Sequence, residues 1–157
     1  ASGTTFLAGD QTYKAAGGGK IGQVVTTQNM QGASIATYST SFVTTGVAGT
    51  ITPSASDSTI LISVTSGSGQ LDTANNHWYN TIYRDAVDLG TGTYFFTTHY
   101  AVSGLTSPII YMQWLDSPGD TSAHTYTCYH KTGSGAVTGY WCWGGSYYNM
   151  TLMEVLA

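Results

Sequence analysis

The sequence predicts an all-β protein, an antiparallel β-sandwich or jelly roll of roughly eight to ten strands with an extended N-terminal arm. Three observations carry this. Nowhere do apolar residues recur at i, i+3, i+4 and i+7 over three turns, so helix signals are nearly absent. Segments rich in Val, Ile, Thr and Tyr recur instead, broken by Gly, Pro and Asp turns at about the 8–12-residue spacing of sandwiches and barrels. The length, 157 residues, suits one sizeable core and not two.

The elements follow in chain order. Residues 1–18 show little periodicity and many small residues, with Phe6, Leu7 and Tyr13 as apolar anchors. They read as an arm that orders only against something else. The arm ends in AAGGGKIGQVV, Ala15 to Val25, whose glycines and lysine suggest either a phosphate cradle or a hinge. A P-loop needs glycine where Lys14 stands, Ser or Thr where Ile21 stands, and a helix afterwards. A strand pattern follows instead, so the hinge reading holds and the folded domain spans 19–157.

Within that domain IGQVVTT (21–27) is the first strand, and SFVTTGVAGTIT (41–52) is one bent strand or two. TILISVT (59–65) alternates Ile60, Ile62 and Val64 against Thr59, Leu61, Ser63 and Thr65, which gives it one buried face. Gly67 to Gly69 breaks the run. HWYNTIYR (77–84), TYFFTTHYAV (93–102) and PIIYMQWL (108–115) come next, two more strands lie within 123–143, and YNMTLMEVL (148–156) ends the chain. Cys128 and Cys142 are symmetric about Gly135 in HTYTCYHKTGSGAVTGYWCW. If that segment is a hairpin, the cysteines oppose each other, Tyr129 faces Trp141 and Thr127 faces Trp143. A cross-strand disulfide and two buried free thiols both remain open.

The composition excludes several functions. Net charge is -4, and the four cations, Lys14, Lys20, Arg84 and Lys131, are scattered, so neither nucleic acid nor an anionic membrane is an expected partner. Charged residues make up 8%, far below the roughly 25% of ordinary soluble domains. Polarity comes from 42 Ser and Thr residues, as in secreted or virion proteins and glycan-facing modules. No apolar run is long enough to span a bilayer, and the first ten residues lack the pattern of a signal peptide. Ala1 is either what a removed initiator methionine would leave or a residue left by cloning, and a whole small reading frame is the expectation only in the first case.

Chemistry is sparse. There is no G-x-S-x-G elbow and no catalytic-thiol signature, so no catalytic residue is assigned. Asp72, Asp85, Asp88, Asp116, Asp120 and Glu154 are the acids from which a glycosidase pair would have to come, but Asp116 and Asp120 flank a Ser-Pro-Gly turn that they serve to cap. His124, Cys128, His130 and Cys142 share a face on the hairpin register, yet i and i+2 on a strand lie about 7 Å apart, too wide for tetrahedral zinc. Calcium at Asp116/Asp120 or Asp85/Asp88 lacks any EF-type pattern. No metal or cofactor is expected. Asn149-Met150-Thr151 matches a glycosylation sequon inside a predicted strand. Twelve Tyr, four Trp and four Phe are the distinctive resource, for a core, for sugar stacking or for protein contacts.

The segments GKIGQVV (19–25), SFVTTGVAGTITPSASDSTILISVTSGSG (41–69), TIYRD (81–85), YMQWLDSPGDTSAHTYTC (111–128) and MTLMEV (150–155) resemble, in that order, a family of phage virion proteins found as fibre tips and small surface proteins. The resemblance covers roughly residues 19–157, with Thr59 standing where the family pattern leads us to expect lysine. It implies a jelly roll of the tumour-necrosis-factor and complement-head type, assembled as a homotrimer, with Phe95, Tyr111 and Trp114 as candidates for packing between subunits. It implies a virion-surface location in one of two roles. One is a capsid decoration or cement protein whose partner is the major capsid protein, held by Phe6, Leu7 and Tyr13 of the arm. The other is a tail-fibre head that binds host surface glycans through the loops 70–76 and 116–124.

Overall fold

The structure, a computed structural model, describes residues 5–7, 13–15, 20–30, 33–90, 96–102 and 105–157; of 5–7, 13–15 and 30 it describes the backbone. These residues contain fourteen strands and no helix. The strands are β1 (Thr5–Leu7), β2 (Tyr13–Ala15), β3 (Lys20–Met30), β4 (Ile35–Thr37), β5 (Val43–Ile51), β6 (Thr59–Ser66), β7 (Gly69–Leu71), β8 (Asn76–Arg84), β9 (Val87–Asp88), β10 (Thr97–Ala101), β11 (Ile110–Asp116), β12 (His124–Thr132), β13 (Gly139–Trp141) and β14 (Tyr147–Leu156).

Eight of them build the sandwich by nested antiparallel pairing: β3 with β14, β5 with β12, β6 with β11, and β8 with β10. First meets last, second meets seventh, and so inward, as in one long hairpin folded back on itself. Rolling that hairpin up adds β6–β14 and β8–β12 and gives two sheets, β11-β6-β14-β3 and β10-β8-β12-β5. Such winding is a jelly roll. A third sheet has the order β4-β13-β7, β9 pairs with β8, and β1 pairs with β2.

The alternation read from the sequence fills the core. Ile60, Ile62 and Val64 of β6, Met150 and Leu152 of β14, and Ile110 and Met112 of β11 are buried, together with Val47, Ile51, Ile82 and Tyr126 of the other sheet. Each fully buried aliphatic contributes about 1.5–3 kcal/mol relative to exposure. Trp78 is wholly buried because β7 and β13 give it room. A Cβ on Gly69 would stand 2.5 Å from its ring, and one on Gly139 would also stand 2.5 Å from it.

Strand number exceeds the expected eight to ten because β1, β2, β4, β7 and β9 are two or three residues long, too short to show a period. β7 forms at the end of the Gly67–Gly69 segment read as a break, since β13 offers it an edge. The 41–52 stretch is one strand, irregular opposite Thr127 and Tyr129 where Gly46 takes a positive φ of 75°. Within the arm Thr5, Phe6 and Leu7 pair antiparallel with Ala15, Lys14 and Tyr13.

The cysteine hairpin is a second correction. β12 already has β5 on one edge and β8 on the other, so the returning chain has no edge to join. Trp141 pairs with Ile35 and Gly69 instead, and Tyr129 lies between Thr44 and Thr81. Cys142, with φ of 51°, turns the chain away directly after β13. Cys128 and Cys142 are both buried free thiols with no bridge between them. Burial pushes both thiols up from their ordinary range.

Candidate functional site

The acids come first, because their surroundings decide whether they can do chemistry. Asp116 Oδ2 accepts from Arg84 Nη1 and from Tyr126 OH, each at 2.7 Å. Asp85 and Asp120 bracket His124, with Asp85 Oδ2 2.9 Å from Nδ1 and Asp120 Oδ1 3.1 Å from Nε2. Asp85 also accepts the Thr125 N–H, and Asp120 that of Ser122. Asp88 accepts from Thr81 and Gly90, and Asp72 from Thr73 and Thr138. Asp116 ties the end of β11 to β8 and β12, each of the other four braces a turn or loop, and the pairs Asp116/Asp120 and Asp85/Asp88 are directed at different partners.

Glu154 is the deepest brace, 1% exposed at the bulge between β14 and β3. Burial alone would raise its pKa, but the Ser54 N–H and hydroxyl at 2.6 and 2.7 Å and the Gln23 amide at 3.0 Å hold it down at about 2. It thereby ties β14 to β3 and to the turn that follows β5. Among the described residues no group of three or more His, Cys, Asp or Glu is arranged to hold a metal. His124, Cys128 and His130 alternate along β12 as expected, but Cys142 follows β13 and is not registered beside them on that sheet.

What the fold does present is two outer sheet faces of different chemistry. On β11-β6-β14-β3, registered neighbours form continuous rows. Val24, Met153, Leu61 and Leu115 make one wholly aliphatic row across all four strands, flanked by Ile21 opposite Val155. Val24, Leu115 and Ile21 are 52%, 54% and 60% exposed. The next row is Thr26, Thr151, Ser63 and Gln113, and the one beyond it Gln28, Asn149, Thr65 and Tyr111. Beside that last row lies a shallow pocket of ≈310 Å³ with Gln28, Thr65, Asn149, Tyr147 and Ile109 in its lining. Asn149, the sequon residue, accepts a hydrogen bond from Thr151 Oγ1 at 3.0 Å.

The opposite face is aromatic. His77 stacks on Tyr79 with ring centres 5.6 Å apart and lies 4.6 Å from Tyr100. Lys131 sits over Phe42 and Tyr79, and Tyr83 packs on Tyr129 at 4.1 Å. Sequence reading missed this platform, although odd positions 77, 79 and 83 of HWYNTIYR carry its signal. The misplaced hairpin had sent Tyr129 elsewhere.

The three candidates for subunit packing separate. Tyr111 is half-exposed on the outer face. Trp114, three residues on, belongs to the opposite parity with Ile110 and Met112, and it packs edge-on against Phe96 at 5.3 Å. A strand repeats every two residues, so Tyr111 and Trp114 cannot share one face. Phe95 lies outside the described residues, as do the side chains of Phe6, Leu7 and Tyr13. Of the two candidate binding loops, 70–76 begins with Gln70 and Leu71 buried in β7, and 116–124 is pinned by Asp116 and Asp120.

No family model matches the chain, and no curated protein matches it. Among solved structures it is similar to a chain in the structure of infectious bursal disease virus Gx strain, at 10% identity and a TM-score of 0.38. The match covers 92% of this chain, which spans only 42% of that one. A likeness of this size carries no argument about function.

Proposed function

We propose that this chain is a structural protein of a phage virion surface, a capsid decoration or cement protein. It packs as a homotrimer through the face of β11-β6-β14-β3 and clamps major capsid protein subunits with its N-terminal arm. The resemblance of its strand-and-turn segments to phage virion proteins supports the setting, and the engagement of its acids in bracing loops accords with a role that is not enzymatic. The observation that carries the reading is the aliphatic row Val24–Met153–Leu61–Leu115 with Ile21 and Val155 beside it. An uncharged, half-exposed apolar sheet face is the kind of surface that copies of a chain bury against one another.

Light scattering coupled to size exclusion tests it with Leu115→Glu and Val24→Glu. The parent should run as a trimer and the variants as folded monomers, because each would bury an unpaired carboxylate. A monomeric parent would overturn the trimer. Counting the chain in purified particles by quantitative mass spectrometry then decides its place. Hundreds of copies per particle support cement, and a few to some tens support a tail fibre.

The aromatic platform favours a second reading, a tail-fibre head that binds host glycans. Tyrosine faces set among hydroxyls stack on sugar rings. In that case Tyr100→Ala and His77→Ala abolish binding to host cells, while changes in the arm leave it intact.

A further inference from the structure

The sandwich carries a row of polar side chains in its interior whose hydrogen-bonding capacity is half used. On the inward face of β10-β8-β12, Thr97, Asn80 and His130 occupy one row, with His99 and Trp78 in the next. Asn80 and His130 are completely buried. Two indoles fix their orientation. Trp141 Nε1 donates to Asn80 Oδ1 at 2.5 Å, so the amide Nδ2 faces the other way. Trp78 Nε1 donates to His130 Nδ1 at 3.4 Å, so a neutral His130 carries its proton on Nε2. Burial keeps that ring neutral by lowering its pKa to about 3.

Two N–H donors, Asn80 Nδ2 and His130 Nε2, carried by residues registered opposite each other on β8 and β12, are thereby fixed in orientation, and neither has a partner among the described residues; Thr97 Oγ1 and His99 Nε2 are buried and unpartnered as well. Buried polar groups are nearly always satisfied, and buried water commonly bonds those that have no protein partner.

We propose that this row is an internal water site: bound water, one molecule or a short chain, accepts from Asn80 Nδ2 and His130 Nε2 and donates onward to Thr97 Oγ1 and His99 Nε2. The donor pair selects the occupant. A metal ion needs a lone pair on Nε2, but Nδ1 already accepts the Trp78 proton, and neutral imidazole has only one ring nitrogen free of hydrogen. An anion would match the donors but would sit in a core row with no cation in it, and a buried unpaired charge is far costlier than water. His99, only partly buried, marks the end by which water enters. The water completes a chain Trp141–Asn80–water–His130–Trp78 that joins β13 of the third sheet to β8 and β12.

Two measurements on the unaltered full-length protein test this. A high-resolution crystal structure should show water at about 2.7–3.2 Å from both Asn80 Nδ2 and His130 Nε2. Nitrogen-15 spectra of the imidazoles should show His130 as the neutral Nε2–H tautomer at pH 7. A dry row in which Asn80 and His130 find protein acceptors would overturn the proposal. So would an anomalous-scattering peak there from a metal or a soaked bromide, or a His130 in the Nδ1–H form.

Discussion

Replacing Gly139 by alanine puts a methyl group where Trp78 already stands. The added Cβ would lie 2.5 Å from Trp78 Cδ1, 2.6 Å from Nε1 and 2.9 Å from Cγ. Ordinary contacts begin near 3.4 Å, so indole and strand must separate by almost 1 Å. The indole has little room to retreat towards β7, because its far edge already fills the place where a Cβ on Gly69 would stand, 2.5 Å from Cζ3. Overpacking of this kind costs about 1–3 kcal/mol. Displacing Nε1 also endangers its bond to His130, and a stranded buried donor adds about 1–3 kcal/mol. Together these come to about 2–6 kcal/mol. Gly135→Ala is the control, since its Cβ would meet only Tyr38 O at 3.7 Å. Urea unfolding followed by tryptophan fluorescence should give a much lower midpoint for Gly139→Ala and an almost unchanged one for Gly135→Ala. Unfolding free energies within about 0.5 kcal/mol of each other would refute the cradle argument.

Other outcomes follow from the same packing. The His130 pKa is lowered on folding, so the unfolded chain binds this proton below about 6.5 and the folded chain only below about 3. Stability should therefore fall as pH falls through that window, with a slope approaching ~1.4 kcal/mol per pH unit, and His130→Gln should flatten it between pH 6.5 and 5 in urea titrations. Glu154→Gln turns a carboxylate that accepts from Ser54 and Gln23 into an amide that presents a donor to donors. It should cost about 2–3 kcal/mol, and a loss below 0.5 kcal/mol (roughly the size of a neutral surface change) would contradict the brace. Cys128 and Cys142 should resist a thiol reagent at pH 8 while the protein is folded and both react in urea; rapid labelling of the native state would show that the core around them opens.

The sequence by itself determined the long strands and which side of each is buried. Alternation is local, and Ile60-Leu61-Ile62-Ser63-Val64 declares its inner face without reference to anything else. Five of the six sandwich pairings, all but β8–β10, join strands far apart along the chain, so only the rolled-up hairpin reveals that Val24, Met153, Leu61 and Leu115 form one row. The short strands β4, β7 and β9 exist because a neighbour presents an open edge, a fact that three residues cannot encode alone. The same holds for the misplaced cysteine hairpin: spacing about Gly135 was consistent with it, but β12 had already spent both edges on β5 and β8. Composition announced an aromatic-rich, charge-poor protein. Whether a given tyrosine fills the core, as Tyr126 does, or stands on the outer platform, as Tyr100 does, was decided by which strands became neighbours.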